Sequence, residues 1–319
     1  MTLADSPPSK RRLLVTGARG FVGSILTRAI FGGDDADRYE LVDFTDPLTG
    51  KSVDLRDAVA VDQVIAAGRP DIVIHLAGIA APREARSQPE QAWAVNVMGT
   101  FHLAQAVLTH VPKARFVWAG SSEAYGAAFN RSPSPVAETA ALEPMSPYGA
   151  TKAAADILLR QLAHEGLDVV AFRPFNHTGA GQSPAYVVPA FAQQIARIEA
   201  GLQEPVLRVG NLEAWRDFLD VRDVVSAYWN AASRDSVRAG EAYNLSRGAP
   251  IQIGAILEML TGLARVPVKI EIDPARYVAN DIAIASGNPD KVFNDLGWSA
   301  TIPFEETLAG VLDHCRTLI

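Results

Sequence analysis

From Arg12 to about Phe175 the chain repeats one unit, a short uninterrupted β-rich run followed by a longer stretch of helical period, and this alternation admits very few architectures. Leu13 to Thr16, Glu40 to Phe44, Asp71 to Ala77, Arg115 to Ala119 and Val169 to Phe172 read as strands. Val22 to Phe31, Asp57 to Ala67, Pro89 to Val111 and Pro147 to Glu165 read as helices. Strands that are apolar throughout, rather than alternating, need cover on both faces. Right-handed crossovers then place helices on both sides, so the expectation is an α/β fold built on a doubly wound parallel sheet. After Asn176 the pattern loosens, with helices expected at Val187 to Ala200, Val221 to Ser233, Ile253 to Ala264 and Phe304 to His314, and an extended segment at Glu241 to Leu245. The expected organisation is a loose tail over residues 1–11, a sheet domain over 12–176, and a smaller C-terminal lobe over 177–319 from which 221–245 returns to the sheet.

Thr16-Gly17-Ala18-Arg19-Gly20-Phe21-Val22-Gly23 joins the first strand to the first helix. Three glycines at this spacing permit a tight turn at Gly17, close approach of a pyrophosphate at Gly20 and close helix–strand packing at Gly23. Unpaired N–H groups at the helix start would receive the anion. A sterically required turn with no ligand is the bland alternative, and the position at the first strand–helix junction favours a dinucleotide. Asp43 ends the second strand, where a carboxylate accepts from ribose hydroxyls and repels a 2′-phosphate, which favours NAD. Arg19 works the other way, because a guanidinium can pair with the phosphate of NADP. Asp54 and Leu55 stand where they could cap the next helix or contact adenine.

Tyr148 and Lys152 are four apart at the start of the helix that opens with Pro147, and so share a face. An ammonium about 4 Å from a phenol favours the phenolate by up to about 4 kcal/mol, so Lys152 is expected to lower the Tyr148 pKa from its usual 10 toward neutrality. Ser121, at the end of the fourth strand, lies where doubly wound sheets bind ligands and can hydrogen-bond a reacting oxygen. Taken alone, a Tyr and a Lys four apart are an ordinary amphipathic surface. With the glycine turn and the strand-end serine in this order, the first half resembles the extended short-chain dehydrogenase/reductases, a Rossmann-fold family of NAD-dependent epimerases and dehydratases. His75-Leu76-Ala77-Gly78 and Asn96-Val97-Met98-Gly99-Thr100 match further motifs of that family. The resemblance implies that Ser121, Tyr148 and Lys152 are the catalytic trio with Glu123 beside them. It implies cofactor contacts from Gly17, Arg19, Gly20, Phe21, Val22, Asp43, Asp54, Leu55, Leu76, Ala77, Gly78, Asn96, Tyr148, Lys152 and Arg173, with NAD(H) favoured and NADP(H) possible.

In the second half, Arg173-Pro174-Phe175-Asn176-His177-Thr178-Gly179, Gly181-Gln182-Ser183-Pro184, Val187-Val188-Pro189 and the run from Val209 to Asp223 resemble the branch that acts on GDP-mannose derivatives. That branch includes reductases of GDP-4-dehydro-6-deoxy-D-mannose and 4,6-dehydratases. The resemblance implies substrate contacts from Ser122, Asn176, Val188, Arg208, Arg216 and Arg276, a GDP-sugar as partner, and a homodimer formed through the helices at 89–111 and 147–165. The bland alternative for Arg216 is an ion pair with Asp217 or Asp220, for Asn176 a turn residue, and for Glu123 a cap. The expected reaction is reduction of a 4-keto group to give a product such as GDP-D-rhamnose. The alternatives are a 4,6-dehydratase or 4-epimerase with bound NAD(P), and a cofactor-binding sensor without catalysis. Asp46-Pro47-Leu48 stands where dehydratases tend to be Arg-rich, and Val278, Trp215, Ala180 and Ser246-Arg247-Gly248 depart from the branch's pattern.

Composition removes other classes. With 29 Lys and Arg against 36 Asp and Glu, net −7, the chain lacks the clustered positive charge that nucleic acid or an anionic membrane requires. No apolar run approaches the roughly 20 residues of a membrane span, and residues 1–10 lack a secretory apolar stretch. The one Cys and six scattered His make a metal site unexpected, and a cytoplasmic location is the default for an unpaired cysteine.

Overall fold

A computed structural model describes residues 10–33, 36–45, 50, 52–131, 135–234, 237–276 and 282–319. Most of the expected tail, Asp46-Pro47-Leu48 and Val278 lie outside the described residues.

The strands are β1 (Arg11–Thr16), β2 (Tyr39–Val42), β3 (Ile72–His75), β4 (Arg115–Ala119) and β5 (Val169–Pro174), and β10 (Glu241–Leu245) joins them in a six-stranded sheet of order β10-β5-β4-β3-β1-β2. β1 pairs parallel with β2 and β3, and β3 with β4. Every residue of β3 and β5 is buried, which is why those runs show no alternation. The α/β, doubly wound expectation is correct.

Between the strands run α1 (Phe21–Phe31), α2 (Ala58–Gly68), α3 (Pro82–Ser87), α4 (Pro89–Trp93), α5 (Thr100–His110) and α6 (Pro147–His164). The single helix expected over 89–111 is interrupted, because Ala94–Gly99 between α4 and α5 is a π-helix. That wider turn coincides with an inward Asn96 and with Gly99, where a methyl group would come within 2.8 Å of the Leu55 side chain. Asp57, not Asp54, caps α2, accepting the Val59 and Ala60 N–H groups at 3.1 Å.

The chain divides into two compact units, each made of three segments. The first comprises the described residues of Met1–Ala119, Ala154–Ala171 and Ala231–Glu241. Within it the buried Arg115 guanidinium binds Asp168 at 2.9 Å and donates to the carbonyls of Ala231, Arg234 and Val237, satisfying the end of a helix.

The second unit comprises Gly120–Ala153, Phe172–Asn230 and Ala242–Ile319. It contains α7 (Val187–Glu199), α9 (Ile253–Gly262), α10 (Asp290–Leu296), α11 (Phe304–Thr317) and most of α8 (Val221–Ser233). Phe191, Ile195, Leu257, Leu260, Leu308 and Leu312 form the core of α7, α9 and α11. Its short strands are β6 (Asn176–Thr178) with β9 (Phe218–Asp220), β7 (Val206–Val209) with β12 (Lys269–Ile272), and β8 (Trp215–Arg216) between β11 (Ile251–Gln252) and β13 (Ile284–Ala285). The fully buried Asp217 ties these pieces together, accepting from the Arg247, Gly248 and Gly287 N–H groups and from Ser286 Oγ. Among the described residues no helix is long and apolar enough to cross a membrane, and no group of three His, Cys, Asp or Glu converges as a metal site.

Candidate active site

The glycine turn is shaped by backbone contacts in the first unit. Gly17 has φ +74°, and a methyl group on it would lie 2.9 Å from the Ala77 N. At Gly23 a methyl group would come within 2.8 Å of Gly17 C and Ala18 Cα, and closer still to Gly17 O. Gly20 precedes α1 as its cap residue, with no side-chain cap and no acidic residue in the first turn, so neither a side-chain acceptor nor a carboxylate competes for the first N–H groups of α1. This is the property an incoming pyrophosphate needs, and the residues fit a dinucleotide. Phe21 and Val22 are half-buried in that first turn, while Arg19 and Asp43 are exposed.

Opposite the turn, the segment after β3 is held by a continuous network. Thr16 Oγ1 accepts the Ala77 N–H at 3.2 Å and meets His75 Nδ1 at 2.7 Å; His75 Nε2 meets Thr100 Oγ1 at 3.0 Å. The Thr100 hydroxyl donates its single proton to the Asn96 carbonyl at 2.7 Å, so His75 carries its proton on Nε2 and accepts from Thr16 at Nδ1. Asn96, 2% exposed, binds both the N–H and the C=O of Ile79. Its side chain thus orders the segment containing Leu76, Ala77 and Gly78. Leu55 is buried, and the exposed Asp54 carboxylate holds Arg56, whose guanidinium keeps it below the usual carboxylate range.

The Ser, Glu, Tyr and Lys residues come together in the second unit. Ser121 precedes a short 3₁₀ turn (Ser122–Ala124), its Oγ accepting the Glu123 N–H at 3.1 Å, and it hydrogen-bonds the Tyr148 side chain. Tyr148 and Lys152 are buried at 9% and 8% exposed. Ser146 caps α6, accepting the Gly149 N–H at 3.0 Å, and donates to Glu123 Oε2 at 2.8 Å.

Burial and charge act opposite to the expected tuning. Burial, and then the neighbouring Glu123 carboxylate, push the Tyr148 phenol above its ordinary value; the Ser121 hydrogen bond opposes this and the nearby Tyr186 adds to it. Burial lowers Lys152 to about 8. Desolvation outweighs a charge–charge effect that helical spacing alone would suggest. Tyr148 is therefore a protonated acid, suited to giving a proton rather than taking one.

Arg216 donates to the carbonyls of Trp215, Ile282 and Ala283 at 2.6, 3.1 and 3.5 Å. Asp217 is occupied by backbone N–H groups and Ser286, and Asp220 by Arg222 and Thr307, so neither takes the guanidinium as an ion pair. Burial lowers the Arg216 pKa and the Glu123 charge opposes that shift. Asn176 pairs with Phe218, which brings its exposed side chain to the strand edge two residues from Arg216. Trp215, 42% exposed, is on the opposite face of β8 from Arg216 and pairs with Ile284, so it does not crowd the guanidinium.

Other expected contacts lie elsewhere. Val188 is 1% exposed within the helical core, so its side chain is not available to a ligand. Arg208 is exposed on β7 opposite Glu271, and Arg276 is bridged to Asp273 at 3.3 Å. Arg173 is 2% exposed, with its guanidinium on Tyr125 Oη and the Glu138 carbonyl. Ser122 is buried in the 3₁₀ turn. Sequence reasoning missed Ser146 and Tyr186; Ser-Pro at a helix start signals the former, and nothing signals the latter.

Known proteins resemble this chain along nearly its whole length. A family model described as GDP-mannose 4,6 dehydratase matches residues 14–311. GDP-6-deoxy-D-mannose reductase of Pseudomonas aeruginosa is 33% identical over 317 residues, covering 97% of this chain and 98% of that protein. The structure of RMD from Pseudomonas aeruginosa complexed with NADPH matches with TM-score 0.88 at 32% identity, over 97% of this chain and 100% of that one. UDP-glucose 4-epimerase of Thermus thermophilus, in complex with NAD, matches with TM-score 0.79 at 26% identity, over 97% and 100%. The chain belongs to the GDP-mannose 4,6 dehydratase family, within the NAD(P)-dependent extended short-chain dehydrogenase/reductases.

Proposed function

We propose that this protein reduces the C4 keto group of a nucleotide-linked 4-keto-6-deoxyhexose, GDP-4-dehydro-6-deoxy-D-mannose, to GDP-D-rhamnose. The observation that carries the reading is the gathering of Ser121, Glu123 and the buried Tyr148 and Lys152, with Glu123 tied by its N–H to Ser121 Oγ and by its carboxylate to the Ser146 cap of the helix that bears Tyr148. NAD(P)H supplies the hydride when bound. Ser121 orients the keto oxygen, and Tyr148 delivers its proton to the alkoxide that develops at C4. Lys152 holds the cofactor ribose and, charged below about pH 8, steadies the phenolate that remains. Arg216, poised on three carbonyls, takes the diphosphate with Asn176 beside it.

Support for this substrate comes from the Pseudomonas reductase, similar over nearly all of both chains. Asp43 favours NADH, whereas Arg19 admits the phosphate of NADPH, the form bound in the Pseudomonas structure. A 4,6-dehydratase or 4-epimerase reading is supported by the retained Glu123 and the epimerase relatives, and an intact Ser121, Tyr148 and Lys152 argues against a sensor without catalysis. The unpaired cysteine supports a cytoplasmic setting, and Trp93 in α4, Met98 in the π-helix and Ile157 in α6, exposed at 45%, 46% and 57%, support a homodimer.

Incubation with the keto sugar and NADH or NADPH should consume one equivalent of reduced cofactor, while GDP-mannose alone should be unchanged. Conversion of GDP-mannose without added cofactor would establish the dehydratase instead.

A further inference from the structure

Ser146 joins the two segments that carry the reacting side chains. Its Oγ accepts the Gly149 N–H at 3.0 Å while its carbonyl accepts the Ala150 N–H at 2.9 Å, the arrangement of a helix cap followed by Pro147 at the first helical position. A serine hydroxyl has one proton to give, and this one goes to Glu123 Oε2 at 2.8 Å. The two backbones also touch: a methyl group on Gly149 would lie 2.6 Å from the Glu123 carbonyl oxygen. Glu123 N–H returns to Ser121 Oγ at 3.1 Å, and Ser121 binds the Tyr148 side chain. The links therefore close a ring from Ser121 through Glu123 and Ser146 to the first turn of α6, and back through Tyr148.

We propose that Ser146 is a positioning residue for proton delivery: its hydroxyl locks the Glu123 carboxylate to the N-terminus of α6, so that carboxylate and Tyr148 phenol face one another as a fixed pair. The proposal rests on Tyr148 as the proton donor of the reduction. Its physical content is that Glu123 has a competing attraction. The Arg216 guanidinium feels the Glu123 charge, and the Ser146 hydroxyl holds the carboxylate against that pull. Burial first, and then the Glu123 charge, favour the protonated Tyr148 phenol, and the serine fixes where that charge stands.

The variants that test this are Ser146→Gly, Ser146→Thr and Glu123→Gln. Glycine in place of a serine cap weakens a helix only slightly, so S146G removes the donor and leaves α6 in place. S146G should lower kcat roughly tenfold, the scale of a misplaced reacting group, with KM for the nucleotide sugar and Kd for the cofactor within about twofold of the parent. S146T, which keeps the hydroxyl, should restore the rate. E123Q should by itself lower kcat with KM and Kd near the parent, and adding S146G to E123Q should lower kcat no further. An S146G variant with parental kcat, an S146T variant as impaired as S146G, or additive losses in the double variant would overturn the proposal. Y148F separates the two layers: loss of turnover in Y148F with parental kcat in S146G removes the role of Ser146 alone, whereas a fully active Y148F removes Tyr148 as donor and this proposal with it.

Discussion

Replacing Gly23 with alanine should disable the cofactor site from behind. The added methyl group would lie 2.8 Å from Gly17 C and Ala18 Cα and nearer still to Gly17 O, against 3.4–4 Å for ordinary contact. These are backbone atoms, so no rotamer change relieves the clash, and the turn or α1 must move by at least about 0.6 Å. Such overpacking costs about 1–3 kcal/mol of stability. The same displacement withdraws the turn N–H groups from a pyrophosphate. Losing one hydrogen bond to a charged group is worth about 1.5–3 kcal/mol, a roughly 10- to 150-fold weaker Kd for NADPH. Calorimetric titration with NADPH and a thermal melt of the ligand-free protein measure the two effects separately. Gly310→Ala is the internal control: it lies within α11, is exposed, and has nothing within 4 Å of the new methyl group. It should add about 0.5–1 kcal/mol of stability and leave the Kd alone. A G23A protein with NADPH affinity within about twofold of the parent would refute the assignment of this turn to the pyrophosphate.

Two other outcomes follow from the second unit. Lys152 titrates near 8 in the folded chain against 10.5 when unfolded, so the unfolded chain binds the proton more tightly between those values, and this contribution to stability rises with pH across them and is lost as pH falls through 8. Lys152→Met should therefore melt higher than the parent at pH 7 and show a smaller rise in Tm from about pH 8 to 10.5, although it loses activity; parallel Tm curves for the two proteins would contradict the buried-lysine argument. Arg216→Met should raise KM for the nucleotide sugar by roughly 30-fold, about 2 kcal/mol for a charged hydrogen bond, with cofactor Kd unchanged; an unaltered KM would place the diphosphate elsewhere.

The doubly wound sheet was legible because strands buried on both faces must be apolar throughout, as β3 and β5 are. The glycine turn was legible because Gly17 and Gly23 stand against backbone atoms that leave no room for a side chain. The π-helix at Ala94–Gly99 was not, since six residues are too few to separate its period from that of an α-helix. Asp54 and Asp57 both precede α2, and only the observed first turn selects Asp57 as the cap. The protonation of Tyr148 was misjudged for a stronger reason. Spacing along α6 reveals Lys152, but burial and Glu123 act from segments distant in sequence, and they dominate. Val188 and Arg173 illustrate the same limit, since motif position does not show that one side chain sits in the core and the other binds Tyr125. Nor do the compact units follow a single cut, because contacts assign Gly120–Ala153 to the second unit while Ala231–Glu241 belongs to the first.

The central claim is that hydride moves from the cofactor to C4 of the sugar while Tyr148 supplies the proton. Turnover of GDP-4-dehydro-6-deoxy-D-mannose with reduced cofactor carrying deuterium at the transferring position tests it most directly, with the label located by NMR and counted by mass. One deuterium is expected at C4 of the product for each cofactor oxidised, and none elsewhere. A product formed without the label, or a label at another carbon, would contradict it.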